Sequence, residues 1–169
     1  WIVCLIPLLP IAGFLFQVFI RSRAPKPVVG FVSCGVIAAA AGISWVLFAQ
    51  LLGMDPHHRL IEADLGAWIQ VPGVDSQLGW MHVLVNHKLI VDPLTAVMIL
   101  VVTNISFFIH LYSTGYMAQE KRYARYFAYL NLFTGFMLIL VMGSNLLLMF
   151  VGWEGVGLCS YLLIGFWFE

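Results

Sequence analysis

Five apolar runs, each close to the roughly 20 residues that carry a helix across a bilayer, dominate this chain of 169 residues. They cover residues 1–20, 28–53, 92–112, 126–142 and 145–168. Backbone that crosses hydrocarbon must satisfy its own N–H and C=O groups, so each run is expected as a helix. Of all residues, 62% are hydrophobic and only 9% charged. A soluble domain of this length has no interior large enough to hide so much apolar surface, and lipid must cover part of it. The expected fold class is an all-α polytopic membrane protein with five transmembrane helices.

Local signals sharpen the helix ends. Asp92 is suited to cap the third helix, with Pro93 at the first helical position, where its missing N–H does no harm. Gly143-Ser144-Asn145 reads as a tight turn between the fourth and fifth runs. The small-residue stretch from Ala38 to Gly42 suits close helix contact.

The connection 54–91 is long but patterned. Ile61, Ala63, Leu65, Ala67, Ile69 and Val71 are apolar at odd positions, with Glu62, Asp64 and Gln70 at even ones. That period of two marks a half-buried strand. Pro72-Gly73-Val74-Asp75 can turn the chain, and Met81, Val83, Val85, Leu89 and Val91 continue the alternation over 79–91. A β-hairpin follows, lying against the outer membrane face. Two strands alone are marginal, so it should rest on the helix bundle or on a neighbouring subunit.

Charge sets the expected orientation. Arg21, Arg23 and Lys26 follow the first helix, and Lys121, Arg122 and Arg125 follow the third. With five crossings these two connections share one side, which the positive-inside rule assigns to the cytoplasm, leaving the N-terminus outside. The other side carries Arg59 and Lys88 against Asp55, Glu62, Asp64 and Asp75. The expected organisation is two helices over 1–53, an extracytoplasmic hairpin loop over 54–91, helix three with a cytoplasmic loop over 92–125, and helices four and five over 126–169. The chain opens on Trp1 rather than Met, with no leader-like segment, and ends at Glu169 directly after an apolar run. A longer parent chain is expected.

Glu154 is the one charged residue between Leu146 and Phe168, and it sits in the interior of that run. A carboxylate at such depth costs about 2.5–3.5 kcal/mol on insertion scales and commonly faces a protein interior or a water path. Helical spacing gives it the face of Phe150, Gly157, Leu158 and Tyr161. Gly152, Gly155 and Gly157 are expected to let another helix or water approach the carboxylate. Proton handling and a structural hydrogen bond to a neighbouring helix are the two available roles. No Lys or Arg lies inside the five runs, so any cationic partner must come from elsewhere.

His110, near the basic end of the third run, could relay protons or could be merely solvated or hydrogen-bonded there. His57, His58, His82 and His87 share the hairpin loop without a familiar ligand spacing, and are expected as exposed side chains rather than metal ligands. Cys4, Cys34 and Cys159 stand alone in apolar runs and read as small buried residues. There is no phosphate-binding or dinucleotide-binding glycine loop, CxxC pair or nucleophile elbow. The chain is expected to hold no cofactor or metal and to bind no nucleic acid.

Four motifs together carry a specific resemblance: Asp92-Pro93-Leu94-Thr95, His110 to Met117, Tyr126 to Phe133, and Gly152-Trp153-Glu154 through Gly165. They resemble the antiporter-like subunits of respiratory complex I, in the branch of subunit L (chain 5 in mitochondria). The resemblance covers most of this chain but only the first part of the family's length. It implies two inverted five-helix repeats, the first beginning at helix four. It also implies that Glu154 is the family's essential proton-carrying glutamate on helix five. The usual partner, a lysine on helix seven, lies beyond Glu169. His110 matches a histidine of the family pattern. NADH and quinone chemistry would belong to other subunits of the NADH:quinone oxidoreductase. The partners implied are membrane subunits of complex I, including an adjacent antiporter-like one, in the inner membrane of a bacterium. Subunits of multisubunit cation/proton antiporters share the glutamate and stand as the alternative. A non-transporting scaffold subunit, with Glu154 as an interhelical staple, is the second.

Overall fold

Each apolar run forms a helix: α1 (Ile2–Ile20), α2 (Lys26–Gly53), α3 (Pro93–Tyr116), α4 (Tyr123–Met142) and α5 (Leu146–Ile164). The computed structural model describes residues 1–20, 24–55, 58–71 and 83–167. All five helices are long and apolar enough to cross a membrane. Asp92 caps α3, its Oδ1 accepting the Thr95 N–H at 2.7 Å. Asn145 caps α5 in the same way through the Leu148 N–H at 2.8 Å. Several ends lie beyond the apolar runs, because polar residues continue a helix where its backbone bonds can still close. α2 begins at Lys26, α3 continues to Tyr116, and α4 takes Arg125 into its first turn. The fifth run differs the other way. Its α-helix stops at Ile164, and Gly165–Trp167 tightens into a 3-10 turn.

Between α2 and α3 lie β1 (Ile61–Val71) and β2 (Val83–Val91), antiparallel and paired from Ile61↔Val91 to Val71↔Val83. The turn residues Pro72–Asp75, together with Arg21, Arg23, His57 and His82, lie outside the described residues. The plain alternation expected for β1 does not run its full length. Register slips after Asp64 and again between Ala67 and Ile69. Gly66 takes a φ of 102° there, a region that side chains rarely adopt, and its N–H donates to Asp64 Oδ1 at 2.8 Å. Burial does not follow the expected alternation past that point: Ala63 is buried, whereas Leu65 and Ala67 are exposed along with Asp64 and Trp68.

The helix bundle supports the hairpin, as expected for two strands. Leu89 bridges to Gly143, the Ser144 N–H donates to Lys88 O at 3.1 Å, and Asn145 Nδ2 donates to Asn86 O at 2.8 Å. Leu89 and Val91 join a buried cluster with Val3 and Ile6 of α1, Ile99 of α3 and Met142 of α4. The opposite end of the bundle has its own ties. Lys26 Nζ donates to Ala118 O at 2.8 Å, the Trp167 indole N–H donates to Glu120 Oε2 at 2.9 Å, and the Arg122 guanidinium lies 5.4 Å over the Phe166 ring.

α4 packs against α1, α3 and α5. Its close approach to α1 depends on two glycines. A Cβ on Gly135 would come within 2.8 Å of Ile11, and one on Gly13 within 2.8 Å of Val36 and 3.2 Å of Asn131. The Ala38–Gly42 stretch does not play the expected role in full. Ala40 and Ala41 are buried, but Ala38, Ala39 and Gly42 lie on the exposed side of α2.

Candidate functional site

Glu154 occupies the middle of α5, about 12 Å along the axis from Leu146. Its neighbours on that face, Phe150, Gly157, Leu158 and Tyr161, are exposed with it. Among the described residues the carboxylate has no hydrogen bond or ion pair. Free space adjoins it, since a Cβ on Gly157 would meet nothing within 4 Å.

The other two glycines serve a different purpose from the one their proximity in sequence suggests. A Cβ on Gly152 would fall 2.6 Å from the Leu140 backbone, and one on Gly155 would fall 2.2 Å from the Phe136 ring. At 100° per residue, the side formed by Leu148, Gly152, Gly155 and Cys159 lies roughly opposite Glu154. These four are the buried residues of α5. Gly152 and Gly155 seat α5 on α4, and Gly157 alone lightens the glutamate's face. The glycine periodicity could have separated them, because Gly152 and Gly155 lie three apart and Gly157 breaks that spacing.

His110 is fully buried, not solvated at a helix end. Its Nδ1 lies 2.7 Å from Ser106 O and its Nε2 lies 3.1 Å from Asn131 Oδ1 on α4. The ring also packs near Phe127, with centroids 6.0 Å apart. Both ring nitrogens thus face oxygens, which satisfies an imidazolium. A neutral ring would need the Asn131 amide turned over to offer an N–H. Asn131 Nδ2 is itself buried and has no partner among the described residues.

Asn131 was not a candidate from the sequence, although a polar residue inside the apolar run of α4, four positions after Phe127, was a usable signal. Further buried polar groups adjoin. Thr134 Oγ1 donates to Leu130 O at 3.1 Å and lies 3.4 Å from Ser106 Oγ. Ser113 Oγ and Tyr126 Oη are 3.3 Å apart. On α1, Gln17 donates to the Ser33 hydroxyl, and its Oε1 has no partner among the described residues.

The structure does not bring Glu154 and His110 together. The histidine faces the α3–α4 interface, and the carboxylate faces away from the side of α5 that packs on α4. In the hairpin region, His58 is exposed and His87 stacks on Trp68 with centroids 4.6 Å apart. No group of three His, Cys, Asp or Glu positioned for a metal occurs among the described residues. Cys4 and Cys159 are buried thiols; Cys34 is half-buried.

Two family models match this chain. Residues 68–127 match the N-terminus of NADH-ubiquinone oxidoreductase (complex I) chain 5. Residues 143–169, which include Glu154, match the transmembrane region of the NADH:quinone oxidoreductase/Mrp antiporter family. Among curated proteins, the chain is 40% identical over 164 residues to NADH-quinone oxidoreductase subunit L of Escherichia coli, covering 95% of this chain and 24% of that protein. It is 38% identical over 161 residues to the subunit L of Mycobacterium tuberculosis, with the same coverage of 95% and 24%. A third, from Rickettsia bellii, is 38% identical over 168 residues, or 99% of this chain and 24% of the relative. The chain therefore spans about a quarter of the length of these relatives.

Proposed function

The chain belongs to the family of NADH-quinone oxidoreductase subunit L, complex I chain 5, and on that premise we propose that it forms part of a proton-translocating membrane subunit with Glu154 as a proton carrier. The observation that carries this reading is a carboxylate halfway along an apolar helix, unpaired among the described residues and on a face with room for a partner. An intramembrane carboxylate left in lipid is costly, and one that meets water or a cation can take up and release protons. The lysine that the family resemblance pairs with it would come from outside these residues, onto the open face beside Gly157. The arrival or departure of that cation would change the carboxylate's proton affinity, because an opposite charge favours the ionised form.

His110 is the second proton-handling candidate, acting as a separate relay between α3 and α4. α4 and α5 would open the first antiporter-like repeat. The NADH and quinone chemistry would lie in other subunits, and this segment would need no cofactor of its own. Its partners would be neighbouring complex I membrane subunits, one of them antiporter-like, and the surrounding lipid. The protein would lie in a bacterial inner membrane, with the N-terminus and hairpin outside and the basic connections inside.

The shared family model for complex I and Mrp antiporters keeps one further reading open. A secondary antiporter would exchange sodium for protons without NADH oxidation. The substitution Glu154→Gln, which removes the charge and keeps the shape, tests the proposal. Assembly with lost pumping supports the carrier role; loss of the assembly itself would instead make Glu154 a structural staple.

A further inference from the structure

Among the described residues α5 is packed along one side, which Gly152 and Gly155 seat on α4, and Glu154 looks away from that seam. A helix held along one side can still slide or turn about its neighbour. Its ends therefore decide where its free face points.

Both ends of α5 are tied to other segments. At the hairpin end, Asn145 caps the helix through the Leu148 N–H, and its Nδ2 donates to Asn86 O at 2.8 Å. At the basic end the α-helix stops at Ile164, and the 3-10 turn Gly165–Trp167 brings two aromatic rings onto the α3–α4 connection. Phe166 is buried, with its ring 5.6 Å from that of Tyr126 on α4 and 5.4 Å from the Arg122 guanidinium. Trp167 lies 6.4 Å from the ring of Tyr116, the last residue of α3, and its indole N–H donates to Glu120 Oε2 at 2.9 Å. Glu120 Oε1 accepts the backbone N–H of Arg122, the residue that caps α4, at 3.1 Å. One carboxylate thus joins the end of α5 to the start of α4. Bonds to a charged acceptor are stronger than their neutral counterparts.

We propose that Glu120, Arg122, Phe166 and Trp167 form a latch that fixes the angle of α5 about α4, and that they are positioning residues for Glu154. The functional half of this assignment rests on the proton-carrier reading. Trp167 is about 20 Å from Glu154 along the axis, so the latch acts through the helix and touches no exchanging proton. Proton exchange at a carboxylate needs a partner within hydrogen-bond reach or one water away. A small turn of α5 takes Glu154 out of that reach.

The test uses the full-length protein in its assembled complex. Trp167→Phe removes the indole N–H and keeps a ring, whereas Glu120→Ala removes the acceptor. Each should speed amide hydrogen exchange at residues 165–167 by roughly two- to tenfold, the weight of one hydrogen bond. Each should also lower the protons pumped per NADH oxidised, with assembly on a native gel unchanged. The two losses should not add, because either substitution breaks the same bond. Glu120→Gln, which keeps one acceptor oxygen, should stay nearer the wild type. If Glu120→Ala does not assemble, Trp167→Phe alone decides. Unchanged exchange would overturn the latch. Faster exchange with wild-type pumping, where Glu154→Gln does abolish pumping, would overturn the positioning role. If Glu154→Gln itself pumps like the wild type, the carrier reading fails and takes the positioning role with it, while the exchange rates still decide the latch.

Discussion

The imidazole of His110 on α3 and the side-chain amide of Asn131 on α4 meet at 3.1 Å in a site closed to solvent. With Ser106 O at 2.7 Å on the other ring nitrogen, the pair couples the proton state of the histidine to the orientation of one amide. Asn131→Leu removes that partner while keeping the volume. It should cost about 1–3 kcal/mol, the penalty for leaving a buried polar group unpaired. Thermal unfolding of the solubilised protein measures this. His110→Phe added to Asn131→Leu should recover part of the loss, and a double variant at least as unstable as the sum of both singles would contradict the pairing.

Gly152 and Gly157 offer a paired test of the α5 faces. Gly152→Ala would force a methyl group against the Leu140 backbone and should lower stability by roughly 1–3 kcal/mol. Gly157→Ala meets open space within the described residues and should change stability by less than about 0.5 kcal/mol or raise it slightly. Unfolding midpoints of the two variants, compared side by side, check the assignment. Equal losses would mean that α5 is rotated from the orientation described.

Asp92 and Glu120 give the pH dependence at the two ends of α3. The Thr95 backbone N–H holds the Asp92 carboxyl below the usual carboxylate range. The Trp167 indole N–H does the same for Glu120. A carboxyl whose folded pKa lies below its unfolded one contributes stability above the unfolded value, which is lost as pH falls through the folded one. Both contributions should therefore persist at neutral pH and fade below about pH 4. Asp92→Ala should cost about 1 kcal/mol at pH 7 as a lost cap, and much less in acid. For Glu120, tryptophan emission should shift on acidification in the wild type and stay flat when Trp167→Phe removes the donor.

Hairpin docking depends on apolar burial more than on its visible ion pair. Lys88 and Glu62 meet at 2.6 Å but are partly exposed, so Lys88→Gln should cost no more than about 1 kcal/mol. Leu89 is buried in the cluster beneath, and Leu89→Ala should cost about 2–5 kcal/mol. Limited proteolysis of the 54–91 loop reads the difference, with faster cleavage expected only for Leu89→Ala.

What could be read from the residues follows the range of the forces involved. Burying a helix in lipid is a local requirement, so apolar length alone located all five helices, and Asp92-Pro93 located the α3 cap. The hairpin was legible from alternation, but the bulge at Gly66 was not, because register depends on the opposite strand. Glu154 was visible as an isolated charge. Helical angles separate Gly157 from Gly152 and Gly155, but which side of α5 packs on α4 was not legible, since that depends on the neighbouring helix. Asn131 was missed for the same reason: its role exists only once α3 brings His110 across from it.

The central claim is that Glu154 carries protons and is not merely a structural group. The direct measurement is NADH-driven acidification of inverted membrane vesicles whose complex contains Glu154→Gln, with assembly checked on a native gel. The account predicts an assembled complex whose proton pumping per NADH oxidised is clearly reduced. Wild-type pumping by that assembled complex would contradict it.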